Sequence, residues 1–291
     1  MQNKDTFIRL RNLAISLAIF SALVVYASTY SEPVLRVSIL SDESSIVVRR
    51  KLKPLTEYLE KKIGMKIEFR PMPDGEIMVE ALTGNKLDMV WLDGYYFIRA
   101  KARSADRVIP LVQRAEDEQT TSVFVTRRVD ITRLEDLKGR TLAFGAETSA
   151  SGHLMPRSFL RDAYLDPDTD MKPLFSGSPD ATVAAVAGGQ ADAGVLSSAA
   201  WDKLIEQGKA DPKVIRVFYV TPGYHDYNWT VRADMDVDLR IKLSDAFLAL
   251  DRNIGQDREI LEFQRASRFI TTHAENYAAI EAAARRAGLL K

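Results

Sequence analysis

Short apolar segments alternate with helical patterns along most of the chain. Apolar runs typical of strands occur at 34–40, 66–70, 87–92, 108–112, 121–126, 141–144, 191–196, 214–220 and 229–232. Apolar residues at helical spacing predict helices ending near 63, 82, 103, 187, 207, 250, 267 and 287, and one beginning near 151. Repeated strand–helix–strand units predict an α/β fold with largely parallel sheets and helices on both faces.

Four of the predicted turns between a strand and the next element are rich in polar or aromatic residues. They lie at 41–44, 93–97, 145–153 and 223–228. Sheets of this kind bind ligands at the carboxyl ends of their strands. Candidate binding residues therefore lie in these turns, and they include Glu43, Asp93, Tyr96 and Tyr227. Trp91, at a strand end, is better explained by core packing.

The N-terminus has the organisation of an export signal. Lys4, Arg9 and Arg11 precede an uninterrupted apolar run at 13–26. This run of about 14 residues is shorter than the roughly 20 that a membrane-spanning helix needs. Residues 1–27 are therefore predicted to be a secretory signal peptide, which places the mature chain outside the cytoplasm. The alternative is an uncleaved anchor, because the large side chain of Tyr26 lies close to the cleavage point.

Composition narrows the class of protein further. The chain has 291 residues, enough for one large domain or two of ordinary size, with 40 Lys and Arg balancing 40 Asp and Glu. This balance argues against a nucleic-acid-binding protein, which needs a basic excess or stripe. The absence of cysteine excludes disulfides, iron–sulfur clusters and cysteine nucleophiles. With three histidines, a multi-histidine metal site is not expected, and no cofactor is predicted.

The turn at 145–153, called the hydroxyl loop below, carries the clearest chemistry. Thr148, Ser149 and Ser151 precede a predicted helix, and Gly152 allows a ligand to approach the backbone closely. The first amides of a helix lack internal partners, and its dipole favours negative charge there. The loop therefore predicts binding of a phosphate-like oxyanion, with a plain N-cap as the alternative. His153 can donate to such an anion or serve in packing.

Several longer stretches point to a family when they are taken together. They are Phe-Gly-x-x-x-Ser-x-Ser-Gly-x-Leu-Met-Pro at 144–156, Ser-Gly-x-x-Asp-Ala-Thr-Val at 176–183, Ala-Asp-Ala-Gly-Val-Leu at 191–196, Tyr-Asn-Trp-Thr-Val-Arg at 227–232 and Leu-Glu-Phe-Gln-Arg-Ala-Ser-Arg-Phe-Ile at 261–270. With them the chain resembles the periplasmic substrate-binding proteins of phosphonate and phosphite ABC transporters, over roughly 34–291. The resemblance is closest to a branch described as selenate transporter binding proteins.

The resemblance implies a two-lobed type II periplasmic-binding-protein fold, with two Rossmann-like lobes joined by a two-strand hinge. The first lobe would comprise 28–122 and 223–291, and the second lobe 123–222. It also implies a monomeric periplasmic protein, not an enzyme, that holds a small oxyanion at 149–152 and delivers it to a membrane permease. No nucleic-acid partner is implied.

This chain departs from the family pattern at four expected pocket positions. Ala150 replaces a threonine, Pro179 replaces a histidine, Gly75 stands where an aromatic residue is frequent, and Asp93 stands where glycine is usual. A carboxylate beside a bound dianion costs affinity unless something neutralises it. A cationic group on the ligand or Arg99 would do so, or Asp93 lies outside the site as an N-cap.

Other functions remain open at this stage. A sensory protein that presents a similar ligand to a membrane kinase would have the same sequence features. An enzyme is disfavoured because Ser149 and His153 are not placed on a nucleophile elbow. A ferric-iron carrier would use Asp93, Tyr96, His225 and Tyr227.

Overall fold

Two β-sheets with helices packed around them organise the chain, as the alternating pattern predicts. The structure is a computed structural model that describes residues 33–41 and 43–290. The predicted signal segment, 1–27, lies outside the described residues. Residues Leu35–Lys291 form one compact unit. Within the described residues, no helix is both long enough and apolar enough to cross a membrane.

The strands and helices follow the predicted order. The strands are β1 (Val34–Ile39), β2 (Lys66–Phe69), β3 (Met89–Leu92), β4 (Val108–Arg114), β5 (Ser122–Thr126), β6 (Thr141–Phe144), β7 (Lys172–Phe175), β8 (Ala193–Ser197), β9 (Arg216–Val220), β10 (Asn228–Arg232) and β11 (Phe269–Thr271). The α-helices are α1 (Ser45–Ile63), α2 (Gly75–Thr83), α3 (Gly94–Arg103), α4 (Met155–Asp162), α5 (Pro179–Ala187), α6 (Ser198–Glu206), α7 (Val237–Leu248), α8 (Gly255–Gln264) and α9 (Ala278–Arg286). A π-helical turn, Ala150–Leu154, leads directly into α4.

Two strands are absent from the sequence prediction, β7 and β11. Both are edge strands: β7 pairs with β6 alone, and β11 pairs with β4 alone. The sequence of β7 begins Lys172-Pro173 and is largely exposed, while β11 has three residues. Short, half-exposed edge strands carry no buried apolar run, so their pattern is not distinctive.

The strand order is β11-β4-β10-β3-β1-β2 in the first sheet and β7-β6-β8-β5-β9 in the second. We call each sheet with its helices a lobe. The expectation of largely parallel sheets is wrong, because both sheets are mixed. In the first sheet β10 runs antiparallel to β3 and β4, and in the second β5 runs antiparallel to β8 and β9.

The chain path explains these antiparallel strands. Strands β1 and β3 run parallel, as do β6, β7 and β8. The chain leaves the first lobe after β4 and leaves the second lobe after β9. Strands β5 and β10, which follow these crossings, therefore each begin at the edge of the sheet where the parallel strands have their carboxyl ends. The turns that follow β1, β3 and β6 therefore all point to the place where the chain crosses between the lobes.

The two crossing segments, 115–121 and 221–227, lie side by side. The Thr120 and Tyr224 backbones exchange hydrogen bonds of 2.9 and 3.0 Å, and the Asp226 amide donates to the Asp117 carbonyl at 3.0 Å. The crossing thus consists of two antiparallel segments.

The apolar core has separate clusters in each lobe. One cluster of the first lobe also contains Ala150, Leu154 and Met155, which belong to the second lobe's π-turn and α4. The start of that helix is therefore packed directly against the first lobe. This contact brings the hydroxyl loop to the carboxyl end of β3.

Candidate functional site

The hydroxyl loop folds back on itself after β6. The Gly145 amide donates to the Gly152 carbonyl at 2.9 Å, and the Ser149 hydroxyl accepts from the Gly152 amide at 2.9 Å. A Cβ at position 152 would lie 3.0 Å from Ser149 Oγ and 3.3 Å from Gly145 Cα. Glycine is therefore favoured at 152, and Ser149 is an N-cap whose hydroxyl proton is free to point to a ligand.

Ser151 is held by Ser122, the first residue of β5, and by Tyr224 of the second crossing segment. Its carbonyl accepts from the Ser122 hydroxyl at 2.7 Å, and the same hydroxyl lies 2.7 Å from the Tyr224 phenol oxygen. The Ser151 side chain also bonds to the Tyr224 phenol. Sequence reasoning did not find Ser122 or Tyr224, which lie far from the loop in sequence. They fix the loop against the crossing.

Tyr96, in the first turn of α3, reaches the hydroxyl loop from the first lobe. Its phenol donates to Thr148 Oγ1 at 3.1 Å. The ring lies over Gly75, where an added Cβ would be 2.3 Å from Tyr96 Cε2. The Tyr96 ring therefore fills the space at Gly75, where the resemblance leads us to expect an aromatic residue. Gly75 and Tyr96 thus make one unit.

Asp93 lies against the hydroxyl loop and caps α3. Its carboxylate accepts from the Tyr96 amide at 2.9 Å, so Asp93 is the N-cap of α3. The residue is 6% exposed. Burial raises the pKa of Asp93 to about 7, although hydrogen bonds from the amides of Tyr96, Ala150 and Tyr95 act in the opposite direction. Because Ala150 belongs to the hydroxyl loop, this carboxylate connects the two lobes.

A second buried carboxyl, Asp226, lies beside this turn. Its Oδ1 accepts from the Gly94 amide at 3.0 Å, and the residue is 2% exposed. Burial and the neighbouring charge of Asp93 raise the pKa of Asp226 well above its usual range. Two such carboxyls titrate as a pair. The sequence points to the 223–228 turn but not to Asp226, since nothing local distinguishes an aspartate that is buried at a distant contact.

Tyr227 is placed in an aromatic and cationic cluster of the first lobe. Its ring stacks on Trp91 at 5.6 Å with an interplanar angle of 19°, and the Arg114 guanidinium lies 5.6 Å from the Tyr227 ring centre. Arg114 in turn pairs with the buried Asp117. Trp91 is 6% exposed, so its assignment to core packing is confirmed.

His153 is packed inside the second lobe. Its Nδ1 lies 2.7 Å from the Glu147 carbonyl, and its ring makes edge contacts with Phe144 and Phe175. Burial lowers the pKa of His153, which favours the neutral ring. The Nδ1 proton is used on Glu147, and Nε2 faces the Arg157 guanidinium at 3.4 Å. The structure therefore supports a packing role and leaves no proton on the ring to donate to an anion.

Glu43, a predicted site residue, makes its contacts at the start of α1 and not at the hydroxyl loop. Its carboxylate pairs with Lys51 of α1 at 2.6 Å, and its amide donates to the Ser41 hydroxyl at 3.1 Å. The side chain is 38% exposed. Within the described residues, these contacts give Glu43 a role at the start of α1 rather than at the hydroxyl loop.

The cations near Asp93 are committed to other partners. Arg99, one suggested neutralising group, donates to Glu76 at 2.7 Å and to the Leu289 carbonyl at 3.3 Å. Among the described residues, no cluster of three or more histidines and carboxylates is arranged to hold a metal ion. His225, one of the suggested iron ligands, lies 3.1 Å from Gln113 Oε1. Among the described groups, Asp93 is therefore surrounded by hydrogen-bond donors and by a second carboxyl, Asp226.

A surface cavity of about 350 Å³ lies at the other end of the second sheet. Arg127, Arg128, Gly189, Ala191, Asp192 and Val214 line it. These residues follow the end of β5 or precede β8 and β9, whereas the hydroxyl loop follows the end of β6. The cavity is therefore separate from the lobe interface.

Comparison with known proteins identifies the family of the chain. A family model described as "ABC transporter, phosphonate, periplasmic substrate-binding protein" matches residues 37–277. The chain is 28% identical over 277 residues to the "Probable ABC transporter phosphite binding protein PhnD1" of Prochlorococcus marinus, covering 90% of this chain and 93% of that one. It is 23% identical over 237 residues to the phosphonates-binding periplasmic protein of Escherichia coli, covering 79% and 70%.

Solved structures extend the comparison to the fold. PhnD1 of Prochlorococcus marinus in complex with methylphosphonate superposes with a TM-score of 0.77, covering 88% of this chain and 99% of that one at 28% identity. The aliphatic sulphonate binding protein SsuA of Escherichia coli gives a TM-score of 0.63 at 19% identity, covering 89% of each chain. Together they confirm the predicted type II periplasmic-binding-protein fold.

Proposed function

Since the chain belongs to the periplasmic substrate-binding proteins of phosphonate ABC transporters, we propose that it holds a tetrahedral oxyanion at the hydroxyl loop. The substrate class is a phosphonate or phosphite, or another tetrahedral oxyanion such as selenate. The family consists of binding proteins rather than enzymes, so the predicted absence of catalysis is confirmed at that level. Its transporter context implies delivery to a membrane permease. The monomeric state, the signal peptide and the lobe boundaries stay predictions.

The observation that carries the proposal is the position of the hydroxyl loop at the lobe interface. The loop begins a helix at the carboxyl end of β6, and Ser149 caps that helix. Opposite it lie Tyr96 and Asp93, at the carboxyl end of β3. Amides and hydroxyls at a helix start bind anions through hydrogen bonds and the helix dipole.

Closure of the two lobes would complete the site. Besides the Tyr96 and Asp93 contacts, surface ion pairs join the lobes, Arg286 with Asp162 at 3.1 Å and Arg265 with Glu206 at 2.9 Å. Exposed pairs of this kind contribute about 0–1 kcal/mol each. These surface pairs therefore add little to the apolar packing of Ala150, Leu154 and Met155 against the first lobe, which an opening of the lobes would have to separate.

Calorimetric titration of methylphosphonate and of phosphite tests the proposal. Ser149→Ala and Ser151→Ala should each weaken binding by about ten- to a hundredfold, because a hydrogen bond to a charged group contributes about 1.5–3 kcal/mol. The matched control is Asp236→Ala, which removes an N-cap of α7 that accepts from the Leu239 amide at 3.0 Å. The control should lower stability and leave the affinity unchanged.

Two results would contradict the proposal. One is wild-type affinity in both serine variants, which would place the ligand away from the loop. The other is absence of binding of either anion to the folded wild-type protein.

A further inference from the structure

The Asp93 carboxylate already occupies part of the surface that an oxyanion would use. Ala150 is the first residue after the Ser149 cap, so its amide is one of the free donors of the helix start. That amide acts on the Asp93 carboxylate from across the lobe interface and lowers the pKa of this group. An oxyanion bound at the hydroxyl loop therefore lies next to a carboxylate oxygen.

No positive charge compensates the Asp93 carboxylate among the described groups that act on it. From its own helix it faces Tyr95 and Tyr96, and from the second crossing segment it faces Tyr224 and the second carboxyl, Asp226. The second lobe presents the uncharged Ala150 amide.

The nearest cationic pairs do not change this balance. The Arg114 guanidinium bonds to Asp117 and to the Gln264 carbonyl, and Arg99 bonds to Glu76. Burial makes an uncompensated pair of negative charges costly. The same burial raises the pKa of Asp93 to about 7, so a proton is available to this group near neutral pH.

One proton placed between the two groups removes the conflict. An O–H···O⁻ hydrogen bond needs a hydrogen on either the carboxyl or the oxyanion, and the two arrangements are microstates of one complex. We propose that the bound complex holds one proton between the Asp93 carboxyl and an oxygen of the ligand, so that the site selects oxyanions able to carry a hydroxyl group over fully deprotonated ones. The inference rests on the function proposed above.

The position of Asp93 favours a proton over an ammonium group of the ligand. An ammonium group on a carbon chain is separated from the phosphonate oxygens by several bonds. Asp93, however, lies against the Ala150 amide, so its carboxyl is next to the other loop donors that would hold those oxygens. Its nearest ligand atom is therefore an oxygen of the anion.

Methylphosphonate and methanesulfonate provide the test, because they have the same shape and differ in whether the monoanion carries a hydroxyl. By calorimetry at pH 7, the wild-type protein should bind methylphosphonate at least about a hundredfold more tightly than methanesulfonate. Asp93→Asn should reduce that ratio at least tenfold, because the amide can donate to methanesulfonate. Asparagine is as good an N-cap as aspartate, so α3 stays capped.

Proton uptake gives a second, independent readout. In buffers of different ionisation enthalpy at alkaline pH, binding of methylphosphonate to wild type should take up about one proton, and binding to Asp93→Asn should take up none. Asp236→Asn, at the N-cap of α7, is the matched control and should behave as wild type.

The outcomes separate this inference from the proposed function. Equal binding of both anions by the wild type, or an unchanged ratio in Asp93→Asn, overturns the inference alone. A third result also overturns the inference. In it, the wild type binds an aminoalkylphosphonate far more tightly than the matching alkylphosphonate, and Asp93→Asn loses this preference. Failure of both anions to bind either folded protein overturns the proposed function together with the inference.

Discussion

The two helix starts that meet between the lobes, at Ser149 and at Asp93, are built alike and differ in charge. Each follows a buried strand, and in each the cap side chain accepts from the amide three residues later at 2.9 Å. Serine caps the second lobe's helix with a neutral hydroxyl, and aspartate caps the first lobe's helix with a carboxyl. The same local geometry thus gives a donor surface on one lobe and an acceptor on the other.

This difference has a consequence for the ligand. A fully deprotonated anion has only acceptors and suits the Ser149 side alone. A ligand that both accepts and donates satisfies both helix starts. The asymmetry between the caps is therefore a device for specificity as well as for stability.

The largest expected effect comes from making the two caps alike. Ser149→Asp keeps a competent cap but adds a further carboxylate on the loop opposite Asp93, beside which Asp226 already lies. Because like charges at an interface cost several kcal/mol, affinity for methylphosphonate should fall at least about a thousandfold. Ser149→Asn is the matched neutral cap and should bind much more tightly than Ser149→Asp by calorimetry. Similar affinities for the two variants would show that the caps do not interact through charge.

The second prediction concerns the pH dependence of stability without ligand. The folded pKa of Asp93, about 7, is raised above its ordinary 3.8, so unfolding releases a proton between these values. The stability that Asp93 provides is fully present below about pH 4 and is lost as the pH rises through about 7, with a slope of about 1.4 kcal/mol per pH unit.

Thermal unfolding of wild type and Asp93→Asn across pH 4.5–7 checks this slope (a range set by the two pKa values). The Tm advantage of wild type over the variant should shrink as the pH rises. The difference between the two proteins cancels groups of opposite sign, such as Asp88, whose pKa is lowered chiefly by hydrogen bonds from Arg36 against the effect of burial. Parallel Tm curves would mean that Asp93 stays ionised in the folded protein.

The third prediction concerns the first lobe's side of the site, which Asp93 and Tyr96 form and which we call the acceptor side. It separates the shape of this side from its charge. Gly75→Ala places a Cβ against the Tyr96 ring, so the ring must shift and its hydrogen bond to Thr148 is disturbed. Overpacking of this kind costs about 1–3 kcal/mol, so methylphosphonate affinity should fall by up to about a hundredfold. Gly255→Ala, where nothing lies within 4 Å, is the control and should leave the affinity unchanged. Equal calorimetric affinities for the two variants would contradict the role of the Gly75–Tyr96 unit.

The donor side, which is the hydroxyl loop of the second lobe, could be predicted from the sequence far better than the acceptor side. The hydroxyl loop is local: strand, hydroxyls, glycine and helix start lie within 145–153, so spacing alone indicates their chemistry. The acceptor side depends on contacts between distant residues, such as Gly94 with Asp226 and Ser122 with Tyr224, which are 132 and 102 positions apart. Nothing in the local pattern marks Asp226 or Ser122 as buried partners.

The same physical reason accounts for the partial success with the fold. Helices and buried strands were predicted because their apolar spacing is local. The directions of β5 and β10 depend on where the chain crosses between the lobes. β7 and β11 are strands because they pair with β6 and β4, which their own local sequences do not indicate. His153 shows the limit for single residues, since its role is decided by the Glu147 carbonyl and two phenylalanine rings.

The smallest expected effect tests the neutral contact between the two helix starts, the hydrogen bond from Tyr96 to Thr148. It joins the lobes, so it stabilises the closed form and should affect ligand affinity more than the unfolding of either lobe. Tyr96→Phe and Thr148→Val should each weaken methylphosphonate binding about two- to tenfold, in keeping with about 0.5–1.5 kcal/mol for a neutral hydrogen bond. In a double-mutant cycle the combined variant should lose less than the product of the two single effects, because either change alone removes the bond. Independent effects in that cycle would mean that the 3.1 Å contact is absent from the ligand-bound state, and that the charged cap at Asp93 alone connects the first lobe to the ligand.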